Sequence, residues 1–336
     1  MKRILCIALC ALAAILACSC GNDKTKSTVA DETEASKSAA TETAAPTESS
    51  NAGLKAFMEE FDDTPTVGDK LIYEDKNITV NVHGINYAVT AGPELHLVID
   101  NHLDKDITVQ APYAVINSYM MTPELNITVP AGKNAGGNLC LSYTNLAYAD
   151  ITCIKDIEFI LRVVEPKNYN PIFTTDMIGL KTSAVKDEKV EYDEGGQIAY
   201  DDNDIKIVFK NLPASDIKTD EGVSPIYTGD GNAELPVYIY NGTDRTISVQ
   251  TGSVTVNGYD LTSVMNRTVL PGKRAVDTVT FYRMDLDEHS IDDIDSAKIS
   301  FEIKDAETWK SIYSTDMISV KLQSKTEPTD SKEPTE

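Results

Sequence analysis

The sequence predicts an all-β fold, two tandem β-sandwich domains behind an export signal and a disordered linker. Three observations predict it: a gapless internal duplication, apolar–polar alternation at period two through both copies, and a near absence of helical spacing.

Residues 101–181 align with residues 241–321 at a constant offset of 140. Ile107, Thr108, Val109 and Gln110 match Ile247, Ser248, Val249 and Gln250, and Asn117 and Tyr119 match Asn257 and Tyr259. Gly132 and Lys133 match Gly272 and Lys273, and Thr175, Asp176, Met177 and Ile178 recur unchanged from Thr315 to Ile318. Upstream, Tyr73 to Asp75 match Tyr200 to Asp202 at an offset of 127, so the second copy carries 13 further residues (140 − 127) in its first hairpin, within residues 213–234.

Each copy reads as strands. Residues 78–82 and 205–209 alternate apolar with polar, as half-buried strands do, and residues 95–99 and 235–239 follow, each ended by an asparagine turn. Val254, Thr255 and Val256 before Asn257 and Gly258 form a hairpin signal. Further short strands are expected over 138–142 and 278–282, 157–163 and 297–303, and 178–181 and 318–322. About seven short strands per copy, separated by turns, indicate a sandwich. Leu54, Phe57, Met58 and Phe61 fall at helical spacing and predict one short amphipathic helix over 53–66; a one-turn helix is expected near 286–290.

The termini have a different composition. Lys2 and Arg3 precede an apolar run over residues 4–17, short for a membrane span and of signal-peptide length. Ile15, Leu16 and Ala17 then lead into Cys18, Ser19, Cys20 and Gly21. This resembles the lipobox of bacterial lipoproteins, whose cysteine is acylated. The resemblance implies lipidation of Cys18, with Cys20 the alternative, and hence a chain anchored at the extracytoplasmic face of the cell membrane. The resulting organisation is a signal peptide over 1–20, a disordered linker over 21–52 rich in Thr, Ser, Ala and Glu, and the short helix over 53–66. The first repeat then covers 67–183, an acidic interdomain linker 184–196, the second repeat 197–324 and a disordered tail 325–336.

The net charge of −23 repels nucleic acid and anionic lipid, so neither is an expected partner. Four of six cysteines lie in the signal region; a disulfide between Cys140 and Cys153 is open on spacing, and weakened because the second copy has Thr280 and Asp293 there.

The recurring frame is a Tyr-acid-Asp step, a strand ending in Asn, Val-Gln, Asn-x-Tyr, a Gly-Lys turn, an Ile-x-x-Ile step and Thr-Asp before the last strand. It is similar to tandem-repeat surface lipoproteins of clostridia and related Gram-positive bacteria, a group with no established activity to transfer. The resemblance spans nearly all of residues 71–322 and implies immunoglobulin-like sandwiches and a cell-surface location. The Cys–Trp–Cys pattern of antibody domains is missing.

The motifs argue against catalysis. The four histidines, His83, His96, His102 and His289, are not duplicated, and there is no Gly-x-Ser-x-Gly elbow, His-Glu-x-x-His or phosphate-cradling glycine loop. The expectation is a non-enzymatic, membrane-anchored binding module for a protein or for an envelope or matrix ligand, without a cofactor. The alternatives are a structural or stress-related envelope factor and a small-molecule or metal-ion binding lipoprotein. The 13-residue insertion supplies the binding candidates Asp220, Tyr227, Asp230 and Asn232, because variable loops on a fixed scaffold carry specificity. Asp201, Asp202 and Asp204 are weak candidates for calcium, a cation that takes carboxylate oxygens.

Overall fold

Alternation in the sequence becomes pairing in the structure. The computed structural model describes Phe57 and residues 64–88, 91–185, 192–211 and 222–323, all within the one unit Ala44–Glu336. The first copy runs β1 (Lys70–Glu74), β2 (Ile78–Asn86), β3 (Glu94–Asn101), β4 (Ile107–Gln110), β5 (Ala114–Ile116), β6 (Tyr119–Met121), β7 (Asn126–Val129) and β8 (Asn134–Cys140). A short helix, α1 (Tyr143–Tyr148), then precedes β9 (Asp156–Phe159), β10 (Arg162–Val164), β11 (Pro171–Thr174) and β12 (Ile178–Lys181).

The second copy repeats this order. It runs β13 (Gln197–Asp202), β14 (Ile205–Phe209), β15 (Ile226–Tyr227), β16 (Ala233–Asn241), β17 (Ile247–Val256), β18 (Tyr259–Asp260), β19 (Ser263–Val264), β20 (Asn266–Val269) and β21 (Arg274–Phe281). Then come α2 (Arg283–Glu288), β22 (Ala297–Asp305), β23 (Ser311–Ser314) and β24 (Ile318–Val320). The described residues are all-β, in sheets that are antiparallel except where β6 meets β21 and that do not close into a barrel.

In the first copy the sheet β1-β2-β3-β8 faces the sheet β11-β10-β4-β7. Ile78, Val80, Val82, Leu95, Leu97 and Ile99 from one meet Ile107, Val109, Ile127, Val129 and Val163 from the other in a single apolar cluster. The alternate residues of β2 face outward, as period two requires. Burying each such side chain contributes about 1.5–3 kcal/mol. Phe57 is helical, as its spacing predicts, and its ring is buried in this cluster. Residues 64–66 are not helical, so that helix stops short of the predicted end.

The copies differ in one respect that matters later. β17 is continuous, with a bulge between Thr251 and Val254, whereas its counterpart is cut into β4 and β5 at Pro112, which has no N–H to donate. The partner strand is cut at the same level, β10 pairing with β4 and β9 with β5. The strands β12-β9-β5-β6 keep Ala114, Ile116, Ile157, Phe159, Ile178 and Leu180 in the first copy's apolar cluster and continue into the second copy as β6-β21-β16-β14-β13.

Helix α2 falls where a turn of helix is expected; α1, its counterpart, is not anticipated by the sequence reading. Among the described residues no helix is long and apolar enough to cross a membrane. Cys18, Cys20, the linker over 21–52 and the tail over 325–336 lie outside the described residues.

Candidate functional site at the joint between the copies

The duplicated polar residues hold backbone. Asn101 is buried at the end of β3; its Nδ2 donates to the carbonyls of Lys105 at 2.9 Å and Val129 at 3.1 Å, and its Oδ1 accepts the Leu103 N–H. Asn241 does the same with Arg245, Val269 and Thr243. Asn117 and Asn257, at φ 47° and 48°, turn the chain between paired strands. Each also bonds the segment before β9 or β22: Nδ2 donates to Cys153 O or Asp293 O, and Oδ1 accepts from Lys155 N or Asp295 N. The repeated Thr-Asp step acts through threonine. Thr175 Oγ1 accepts the Leu161 N–H and Thr315 Oγ1 the Phe301 N–H, both at 2.9 Å, while Asp176 and Asp316 are exposed.

The acidic candidates are turn residues. Asn203 and Asp204, at φ 53° and 59°, close the β13–β14 hairpin, where left-handed backbone favours Asn and Asp. Asp202 Oδ1 accepts the Asn203 N–H, and Asp201 lies exposed on β13. Among the described residues no three His, Cys, Asp or Glu side chains converge as a metal site.

In the insertion, Asp220 lies outside the described residues. Tyr227 pairs with Ala233, and its hydroxyl accepts the Ile294 N–H at 3.1 Å. Asp230 accepts hydrogen bonds from Thr228 and Asn232 within a tight turn, and Asn232 Oδ1 accepts the Arg283 N–H at 2.9 Å. Val223 is buried, and Asn211 Nδ2 donates to Gly222 O. The described part of the insertion is therefore sewn to the body and lies beside α2.

Two of the four histidines, His83 and His96, lie with ring centroids 6.0 Å apart, and His102 and His289 have other partners. His83 stands 3.4 Å from Asp69, and His96 bonds Asn138. His102 lies 2.8 Å from the Thr79 hydroxyl, an exposed pair whose counterparts in the second copy are Gly242 and Lys206. His289 stacks on Tyr259 at 4.6 Å. Cys140 and Cys153 form no disulfide, and burial pushes the Cys140 thiol up.

Polar chemistry is instead concentrated where the copies meet. Strand β6 runs parallel to β21 with Tyr119 opposite Arg274, and Arg274 N donates to Ser118 O at 2.9 Å. The Arg274 guanidinium lies 3.5 Å from the Tyr192 ring centroid and 4.6 Å from that of Tyr240, and 3.5 Å from Glu194. Glu194 also accepts from Lys206 Nζ at 3.2 Å and from the Tyr238 hydroxyl at 3.0 Å. Burial alone raises the Glu194 carboxyl, but these donors and Arg274 outweigh it and hold the group below its ordinary range. Burial lifts the Tyr119 hydroxyl to about 12. Tyr192 and Glu194 belong to the acidic connector, whose C-terminal end is thus half-buried in the joint.

Two further contacts complete it. Arg267 donates to Met120 O at 2.6 Å and to Thr122 Oγ1 at 3.3 Å, and Lys273 pairs with Glu158. Burial pushes Asp277 up despite the attraction of Arg267, and pushes Glu234 up as well; burial and both carboxylates raise Tyr148 of α1, which packs against β21. Val115 and Met120 enter the second copy's apolar cluster, while Val208 and Tyr238 enter the first copy's.

Identity between the copies does not mark this joint, because its residues are those in which the copies differ. Val115 and Met120 correspond to Thr255 and Asp260, Arg267 and Arg274 to Ile127 and Asn134, and Asp277 to Gly137.

No protein-family model matches the chain, and no curated protein matches it. Among solved structures it is similar to a protein of unknown function from Porphyromonas gingivalis W83, at 14% identity over 75% of this chain and 94% of that chain, with a TM-score of 0.19. The YadV chaperone is similar at 13% identity over 68% and 92%, TM-score 0.19, and red sea bream transglutaminase at 11% over 78% and 32%, TM-score 0.19. At these scores none of them informs the function.

Proposed function

We propose that the chain is a non-enzymatic surface lipoprotein, anchored through Cys18 or Cys20, whose two immunoglobulin-like sandwich repeats act as one interaction body for a protein partner. One observation carries the reading: the copies diverge at the surface that joins them, so duplication has produced a joined pair of unlike domains. In support, most of the polar residues singled out as ligand groups are engaged with backbone. A two-domain body on a lipid anchor and a disordered linker presents a surface within the linker's reach of the membrane, and two acyl chains suffice to hold it there. The test is crosslinking of intact cells that carry the full-length chain. A discrete adduct with another protein is expected, and it should disappear with release of the chain when Cys18→Ala and Cys20→Ala are combined. Palmitate labelling that survives in the double variant, or no adduct from the anchored chain, would overturn the reading.

A further inference from the structure

The joint uses one surface of the first copy, made by β6, α1 and Glu158 of β9, to receive the corner between β20 and β21, with Arg267 on β20, Lys273 in the turn and Arg274 at the start of β21. Duplication gives the second copy the same surface at β18 and α2, and no described strand covers it. It is built from different side chains. Met120, Asn145, Ala147 and Tyr148 of the first copy correspond to Asp260, Asp285, Asp287 and Glu288. Glu124, Ser142 and Thr144 correspond to Val264, Tyr282 and Met284, all exposed, Met284 at 81%.

These residues are contiguous. Tyr259 stacks on His289, Thr262 N donates to Asp285, Val264 pairs with Thr280 just before Tyr282, and Asn232 of the insertion accepts the Arg283 N–H. An apolar patch rimmed by carboxylates, of which Asp287 pairs with Arg283, is placed where the sister copy already holds the cationic β20–β21 corner.

We propose that the β18–α2 end of the second copy docks a strand–turn–strand corner of another protein, one that carries Lys or Arg at and beside its turn. The proposal rests on the interaction reading above and names the partner's chemistry. Lys298 in place of Glu158 moves the acidic rim from the β22 side to α2, so the partner's cations face Asp260, Asp285 and Glu288. A second copy of this chain fits poorly. Its own basic corner already meets β6, and the matching corner of the first copy has Ile127 on β7 and Asn134 on β8 where the basic corner has Arg267 and Arg274.

The probe is a synthetic peptide with the sequence of residues 265–276, which contains the three cations. It is added to the full-length chain in detergent micelles and followed by hydrogen exchange and by anisotropy of a fluorescent label. Protection confined to 259–264 and 282–288 is expected, with binding at least about tenfold weaker for the chain carrying Tyr282→Asp and Met284→Asp, both exposed positions. A peptide with glutamate at the three cationic positions should not protect. No protection at about 1 mM peptide, equal protection by the acidic peptide, or protection at 118–122 instead would overturn the proposal. Self-association that Met284→Asp abolishes would overturn it in favour of a second copy. A crosslinked partner in cells without peptide binding would sink this proposal and leave the interaction reading standing.

Discussion

Tyr119 and Arg274 stand opposite each other in parallel register, one from each copy, and through them a sheet of the first copy continues into the second. This one parallel pair, with the Arg274 N–H donating to Ser118 O, ties the start of β21 to β6 at a place where open strand ends would otherwise recruit other chains. The side chains around the pair explain why the two copies of a duplicated domain differ where they do.

Replacing Val115→Thr and Met120→Asp together installs the second copy's residues in the joint. Both side chains are buried in the neighbouring domain's apolar cluster, so the change should weaken the joint by about 2–4 kcal/mol. Urea unfolding of the parent chain should be a single transition that splits into two in the variant. A variant that still unfolds in one transition at the parent midpoint would contradict this.

Asn101→Ala and Asn241→Ala should be equally harmful. Each asparagine satisfies two carbonyls and one N–H from a buried position, and orphaning such groups costs about 1–3 kcal/mol. Denaturant midpoints should fall with little change in slope. A loss under about 0.5 kcal/mol in either copy would mean that water replaces the side chain without penalty.

The pH dependence has two limbs of opposite sign. Asp277 and Glu234 have carboxyls raised by burial, so the folded chain binds protons more tightly than the unfolded one. Their contribution is full below the unfolded carboxylate range and is lost as pH rises through the folded values. Asp193, held down by the Lys210 hydrogen bond, and Glu194, held down by its donors despite burial, behave oppositely. Their contribution is full above the unfolded range and is lost as pH falls through the folded values. Melting temperature should therefore peak at mildly acidic pH. Asp277→Asn should flatten the descent as pH rises above the ordinary carboxylate range, and Glu194→Gln the fall on the acid side. Parent-like slopes in both variants would contradict the assignment.

The insertion offers a separate check. Val223→Ala should cost about 2 kcal/mol, since the side chain is buried, and Tyr227→Phe about 1 kcal/mol through the bond from Ile294 N. Silent thermal melts for both would make the insertion a loosely attached loop.

Much of the fold is legible in the sequence because its signals are local. Alternation gives the strands, Asn257 and Gly258 give a hairpin, and the constant offset gives the duplication. The hairpin at Asn117 and Ser118 is harder to read because Ser118, at φ 72°, occupies the position of Gly258. Helix α1 has six residues, too few for a periodic pattern. The asparagines that end β3 and β16 read as turn residues, while their side chains tie down strands 28 positions further on. The joint is hidden for another reason: its residues are remote in sequence and differ between the copies, and repeat matching discards such positions.

The central claim is that the two copies form one body through β6 and β21, and the amide of Arg274 tests it most directly. Hydrogen exchange on the full-length chain should show that amide protected to the level of the β16 core, with protection lost in the Val115→Thr, Met120→Asp variant while β16 stays protected. Exchange of the Arg274 amide at the rate of an open edge strand in the unaltered chain would contradict the joint.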